Sequence, residues 1–196
     1  NDGPSRRAIV DFVRTVTTPG GAGYVAEADR IAVFDNDGTL WSEQPAYFEL
    51  LFSLDRVKEM APSHPQWRRE QPYQAALAGD HAALAASGTE GLIKIVGVTH
   101  ADMTTEAFTD SVRHWVGTAR HPRFKQPYTA MTYKPMRELL DYLRANGFKT
   151  YIVSGGEVEF MRAWAQQAYG IPPEQVIGTT FVTTFDMRDG KPTLWR

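Results

Sequence analysis

The chain contains no cysteine, so disulfides, thiol nucleophiles and thiolate metal sites are excluded together. No apolar run approaches the ~18 residues of a membrane-spanning helix. The formal net charge is only −2, which gives no long-range attraction for polyanions, so nucleic acid is not an expected partner. His64, His81, His100, His114 and His121 show no spacing that suits a metal. They are expected on the surface or in loops, with no ligand role. No internal repeat or low-complexity segment interrupts the sequence. What remains is 42% apolar and 22% charged over 196 residues, enough for one domain, or for a core carrying a modest insertion.

The chain starts at Asn1 rather than Met and stops at "KPTLWR", where a strand is under way. It is therefore read as a piece of a longer protein, from which any export signal would already be gone. A periplasmic location is the expectation, with the cytoplasm as the alternative.

In "PSRRAIVDFVRTV", Ile9, Phe12, Val13 and Val16 fall at helical spacing and predict an amphipathic first helix. "RIAVFD" is a short continuous apolar run, the pattern of a strand buried on both faces. Residues 43–129 differ in texture, with scattered proline, much alanine and several helical patterns. Among these, Phe108, Val112, Trp115 and Ala119 recur on one face behind Thr104 as N-cap, with Glu106 in the first turn. After about Tyr133 the α/β texture returns. "KPMRELLDYLRANG" predicts a helix with Pro135 in its first turn and a stop at Asn146-Gly147. "FKTYIV" predicts a second buried strand ending in "SGGE". A helix over 158–169, closed by Gly170, comes next. Further strands follow, with a tight hairpin at Asp189-Gly190. Strand alternating with helix implies a doubly wound parallel sheet, with ligands outside the carboxyl ends of its strands.

Two such ends carry polar groups, Asp35-Asn36-Asp37-Gly38-Thr39 and Ser154-Gly155-Gly156. A parallel sheet brings both to one edge. A carboxylate held in line is a competent nucleophile toward phosphorus, and a second can protonate the leaving oxygen and then deprotonate water. Gly38 would let backbone N–H groups approach an anion, and Ser154 with Gly155 offers further donors. Like charges at ~4 Å repel by roughly 4 kcal/mol at an effective dielectric of about 20. Two carboxylates facing a phosphate therefore call for a cation, and hard oxygen ligands favour Mg²⁺.

"FDNDGTL" resembles the first signature of the haloacid dehalogenase-like (HAD) hydrolase superfamily, and "YIVSGG" resembles its second. The longer stretches "FDNDGTLWSEQP" and "LRANGFKTYIVSGG" resemble bacterial phosphatases near the phosphoserine-phosphatase branch. The resemblance implies a HAD-like Rossmannoid α/β core with a parallel sheet, built from residues 1–42 and 130–196, and an inserted helical cap over 43–129. It implies Mg²⁺-dependent hydrolysis of a small phosphomonoester through an aspartyl-phosphate. The alternatives are a phosphotransferase or phosphomutase of the same superfamily, or a catalytically incomplete phosphate- or metal-binding module. Carried over residue by residue, Asp35 is the nucleophile and a metal ligand. Asp37 is the general acid/base, with its backbone carbonyl on the metal. Ser154 and Gly155 hold the phosphoryl group, helped by Thr39 and the Gly38 backbone.

Dehalogenases of the superfamily typically lack the second aspartate, so Asp37 favours phosphoryl transfer. Glu43 is a substrate-contact candidate, or else a helix-start acid on a solvated face. Trp41 is assigned to packing. The family pattern also needs a third-motif lysine and a fourth, acidic motif. Lys191 is the only lysine after Ser154 and sits at a hairpin turn, so both missing parts are expected beyond Arg196. No code for the substrate's identity and no oligomeric state is legible.

Overall fold

The apolar run after Arg30 forms β1 (Ile31–Phe34), and the run after Phe148 forms β2 (Lys149–Glu157). They pair in parallel, with Phe34 opposite Ile152. β3 (Val176–Thr179) joins the far side of β2, giving the order β1-β2-β3. The computed structural model describes residues 2–196.

Alternation along the strands gives the sheet two unlike faces. Ile152 and Val176 are fully buried on one, beside Phe34. On the other, Ile31, Val33, Val153 and Ile177 are between 43% and 57% exposed. The expected burial on both faces is thus corrected to burial on one, because no described element lies over the second. β2 also runs further than its apolar residues predict, continuing through Ser154-Gly155-Gly156 to Glu157 with a register irregularity after Val153.

The helices follow the sequence signals closely. α1 (Pro4–Thr17) buries Val13 and Val16, although Phe12, placed with them by spacing, stays 59% exposed. A run of helices comes after β1: α2 (Phe48–Met60), α3 (Tyr73–Ala78), α4 (His81–Ala86), α5 (Gly88–His100) and α6 (Thr105–Thr118). The Thr104 hydroxyl accepts the Ala107 N–H at 3.0 Å and caps α6, whose Phe108, Val112 and Trp115 are buried. α7 (Lys134–Ala145) carries Pro135 in its first turn and ends before Gly147, which holds φ +77°. The helix expected over 158–169 is two pieces, α8 (Val158–Arg162) and α9 (Ala165–Tyr169). The break falls at Trp164, whose φ of −138° leaves the helix while its ring is fully buried. β4 (Thr184–Arg188) and β5 (Lys191–Trp195) form an antiparallel hairpin with Asp189 and Gly190 both at positive φ, the geometry of a two-residue primed turn.

Two apolar clusters hold the molecule together. The larger joins Phe34 and Ile152 of the sheet to Phe160 and Trp164, and also to Phe52 of α2 and Trp115 of α6. The smaller gathers Leu54 and Val57 of α2 with Trp67, Ala76 and Ile95. The first and last helices of the insertion therefore share the sheet's core, and α3 to α5 form an annex. Where the chain leaves the sheet and returns to it, Ser42 N–H donates to Met131 O at 2.9 Å and Tyr133 N–H to Leu40 O at 3.0 Å. Trp41 closes this junction. It is fully buried, its Nε1 donates to Tyr128 O at 2.6 Å, and its ring meets Trp164 at 4.1 Å and Phe48 at 4.6 Å.

Candidate active site

Because Phe34 faces Ile152 across a parallel pair, Asp35 just past β1 and Ser154 in the last part of β2 reach the same edge. A cavity of about 730 Å³ opens there, and Asp35, Asp37, Ser154 and Gly155 all line it. Residues far apart in sequence are brought together as their strand-end positions predict.

The turn after Asp35 is built by its own backbone. Asn36 is buried and its carbonyl accepts N–H groups from Thr39, Leu40 and Trp41. The Asn36 side-chain oxygen accepts the Tyr169 hydroxyl at 3.1 Å, and burial, then the Asp37 charge, raises that phenol well above its usual range. Asn36 N–H donates to Asp35 Oδ1 at 2.7 Å. Gly38 takes φ +73°, and a Cβ there would lie 3.1 Å from Glu43 Oε2. Burial pushes the Asp37 carboxyl up to about 6; the Asp35 charge adds to this, a hydrogen bond from the Asn36 side chain opposes it, and Glu43 adds a little more.

Gly38, Thr39 and Glu43 do not line the cavity. The Gly38 N–H, expected to face an anion, instead donates to Trp41 O at 2.7 Å. Glu43 folds back on Gly38 and acts on Asp37 through its charge. Lys191 opens the exposed hairpin strand β5 and is also absent from the lining.

Three residues that the sequence did not single out complete the site. Glu49, in the first turn of α2, lines the cavity and reaches across to the end of β2, where its Oε2 accepts the Glu157 N–H at 3.0 Å. A Cβ at position 156 would stand 3.2 Å from that oxygen, so Gly156 gives the carboxyl room. Glu157 caps α8 through Phe160 N–H at 2.6 Å and pairs with buried Arg196 at 2.9 Å. The Arg196 guanidinium also lies 3.8 Å from the Phe108 ring centre. Burial is the main cause that lifts the Glu49 carboxyl to about 7. The Glu157 N–H and Arg196 oppose the rise, while the Glu157 and Asp37 charges support it.

His100 corrects the expectation that the histidines lie on the surface or in loops, since it ends α5 with its side chain fully buried, whereas His121 lies in a loop as expected, although buried. His100 Nδ1 lies 2.9 Å from Thr99 Oγ1, which is also 2.8 Å from Ile95 O. Its Nε2 faces Glu49 Oε1 at 3.6 Å. This is no ion pair at neutral pH, because burial and then Arg196 hold the imidazole down at about 3. Helical repetition in "GLIKIVGVTH" signals that one face of this segment is buried, but not what its histidine faces.

The lining holds four carboxyl groups, Asp35, Asp37, Glu49 and Glu157, and among the described residues no lysine or arginine. No group of three or more His, Cys, Asp or Glu side chains converges as a metal centre among the described residues. Asp35 and Asp37 nevertheless fit a hard cation that is completed by water and by a phosphate substrate. Such a cation commonly takes only one or two protein carboxylates, and the Asp35 charge is the second cause, after burial, that raises Asp37. No described helix is long and apolar enough to cross a membrane.

A family model for haloacid dehalogenase-like hydrolases matches residues 32–193. No curated protein matches the chain. Among solved structures, a conserved functionally unknown protein from Anaerococcus prevotii DSM 20548 is similar at 16% identity, covering 96% of this chain and 69% of that one, with a TM-score of 0.51. A phosphoserine phosphohydrolase-like protein from Francisella tularensis subsp. tularensis SCHU S4 is similar at 19% identity, covering 82% of this chain, with a TM-score of 0.38. The chain spans 61% of the Francisella protein's length. At these identities the likeness to the Anaerococcus structure concerns the fold alone.

Proposed function

The chain belongs to the haloacid dehalogenase-like hydrolase family, and from that premise we propose that it serves as a phosphatase for small phosphomonoesters, working through an aspartyl-phosphate. The observation that carries this reading is the convergence of Asp35, Asp37, Ser154 and Gly155 on one cavity at the carboxyl edge of the sheet.

An Asp35 carboxylate oxygen attacks phosphorus, and the P–O bond to the alcohol breaks. The departing oxygen takes its proton from Asp37. Water then attacks the aspartyl-phosphate, giving a proton back to Asp37 and releasing inorganic phosphate with Asp35 restored. A carboxyl near 6 can both hold a proton and give it up close to neutrality. Ser154 and Gly155 hold the phosphoryl oxygens, and the turn through Gly38, Thr39 and Glu43 fixes Asp37. Asp35 and Asp37 would hold Mg²⁺, which when bound supplies the positive charge that a phosphate facing four carboxyl groups requires. The helices over 43–129 would act as a cap over this edge.

The test is turnover of p-nitrophenyl phosphate by the protein at its native length, with Mg²⁺ and with EDTA. Asp35→Asn is expected to remove turnover and acyl-phosphate labelling, and Asp37→Asn to lower turnover by about 10²- to 10⁴-fold. Activity that survives Asp35→Asn would falsify the assignment of the nucleophile.

A further inference from the structure

The cavity has two unlike ends. The acidic end holds Asp35 and Asp37 beside Ser154. The far wall is apolar, formed by Leu92, Ile93 and Val96 on one side of α5, by Leu50 of α2, and by Phe181 and Val182 after β3. Several of these side chains are unusually open for their size, with Leu92 at 43%, Ile93 at 64% and Val182 at 93% exposed. Large apolar side chains scattered singly on a surface need no explanation, but a group of them around one concave site marks a binding surface.

Most polar side chains near this wall are already engaged, the Tyr47 and Thr180 hydroxyls of the lining excepted. Glu157 is taken by Arg196 and the start of α8, Glu49 accepts the Glu157 N–H, and the Thr179 hydroxyl donates to Gly155 O at 2.8 Å. No cationic side chain in the described lining could hold a second anionic group of a ligand. A second anionic group there would face the Glu49 and Glu157 carboxyls with no counter-charge.

We infer that the substrate is the phosphomonoester of an apolar alcohol, an aryl or medium-chain alkyl phosphate, with its ester body seated against Leu92, Ile93 and Val182 while its phosphate meets Asp35 and Ser154. The volume of about 730 Å³ leaves room for such a body beyond the phosphate. This assignment rests on the phosphatase reading for its chemistry, and on the apolar wall for its specificity.

Binding and turnover separate the two. Methyl-, butyl- and hexylphosphonate, which cannot be hydrolysed, are titrated calorimetrically into the native-length protein with Mg²⁺ present. Affinity is expected to climb by up to about fourfold per buried methylene. Ile93→Asp and Val182→Asp, both at exposed positions that tolerate polar residues, should each lower hexylphosphonate affinity tenfold or more. In parallel, hexyl phosphate and phenyl phosphate should exceed glycerol 2-phosphate and adenosine 5′-monophosphate in kcat/KM by tenfold or more. Turnover of every ester with no dependence on chain length overturns the inference and leaves the phosphatase reading standing. Affinity that climbs with chain length but brings no turnover keeps the apolar site and removes the phosphatase reading. Failure of all three phosphonates to bind overturns the inference outright.

Discussion

Replacing Glu49 by glutamine probes the carboxyl that bridges α2 to the end of β2. In the folded protein this group titrates at about 7 rather than at its ordinary 4.5, chiefly because it is buried, with a side chain only 19% exposed. The unfolded chain releases the proton near the ordinary value. Between about pH 4.5 and 7 the folded state therefore binds more protons than the unfolded state, and stability falls as pH rises through that window. The displacement corresponds to a loss of at most about 3 kcal/mol at pH 8. Glutamine has nearly the same shape, carries no charge, and its oxygen can still accept the Glu157 N–H. The Glu49→Gln protein should match wild type at pH 4.5 and exceed it by up to about 3 kcal/mol at pH 8. At a urea m-value of about 2 kcal/mol/M, that is a midpoint raised by about 1 to 1.5 M. Urea titrations of both proteins at pH 4.5, 6 and 8 read the difference directly, and titrations of groups distant from Glu49 cancel. Parallel stability profiles from pH 4.5 to 8 would show that Glu49 is ionised at no cost, and the reasoning would fail.

His100, buried and held at about 3, should stay neutral down to pH 4 in an NMR titration of its imidazole shifts. Its contribution to stability is complete above about pH 6.5 and is lost as pH falls toward 3; an imidazole titrating near 6.5 would contradict this environment. Gly38→Ala must place a Cβ at φ +73° and 3.1 Å from Glu43 Oε2, so a cost of about 1 to 2 kcal/mol is expected by calorimetry. The double change with Glu43→Ala should recover only the part due to the close contact. Val33→Thr on the open sheet face should cost under about 1 kcal/mol, whereas Ile152→Ala on the packed face should cost about 2 to 5 kcal/mol; equal costs would mean that the faces are wrongly assigned.

Local signals carried much of the fold. The cap at Thr104, the stops at Gly147 and Gly170, and the turn at Asp189-Gly190 are each set by one or two residues acting on neighbouring backbone, and each lies where its residues predict. The apolar runs of β1 and β2 fixed the strands but not their surroundings, because Ile31 and Val33 read identically whether or not a helix covers them. Trp164 broke an expected helix for a tertiary reason, the burial of its ring among Trp41, Phe160 and Tyr169. In the site, Asp35, Asp37, Ser154 and Gly155 were legible because strand ends converge by topology. Glu49, Glu157 and Arg196 were not, since their meeting depends on how α2 and the C-terminal hairpin pack, and no spacing encodes that. Gly38 was expected to be a phosphate donor, but the return of Trp41 O onto its N–H is invisible until the turn is built.

The junction at Trp41 has a consequence for change over evolutionary time. The strand-like pairing of Leu40 and Ser42 with Tyr133 and Met131, together with the indole bond to Tyr128, holds both ends of a long excursion at one point beside Asp37. Once the ends are pinned, doubling the length of chain between them costs only about 0.6 kcal/mol in closure entropy. The annex formed by α3, α4 and α5 can therefore be lengthened, shortened or exchanged without altering the spacing between Asp35 and Ser154. On the proposed reading, selection could rewrite the apolar wall while Asp35 and Ser154 keep their positions, much as interchangeable tool heads fit one fixed socket.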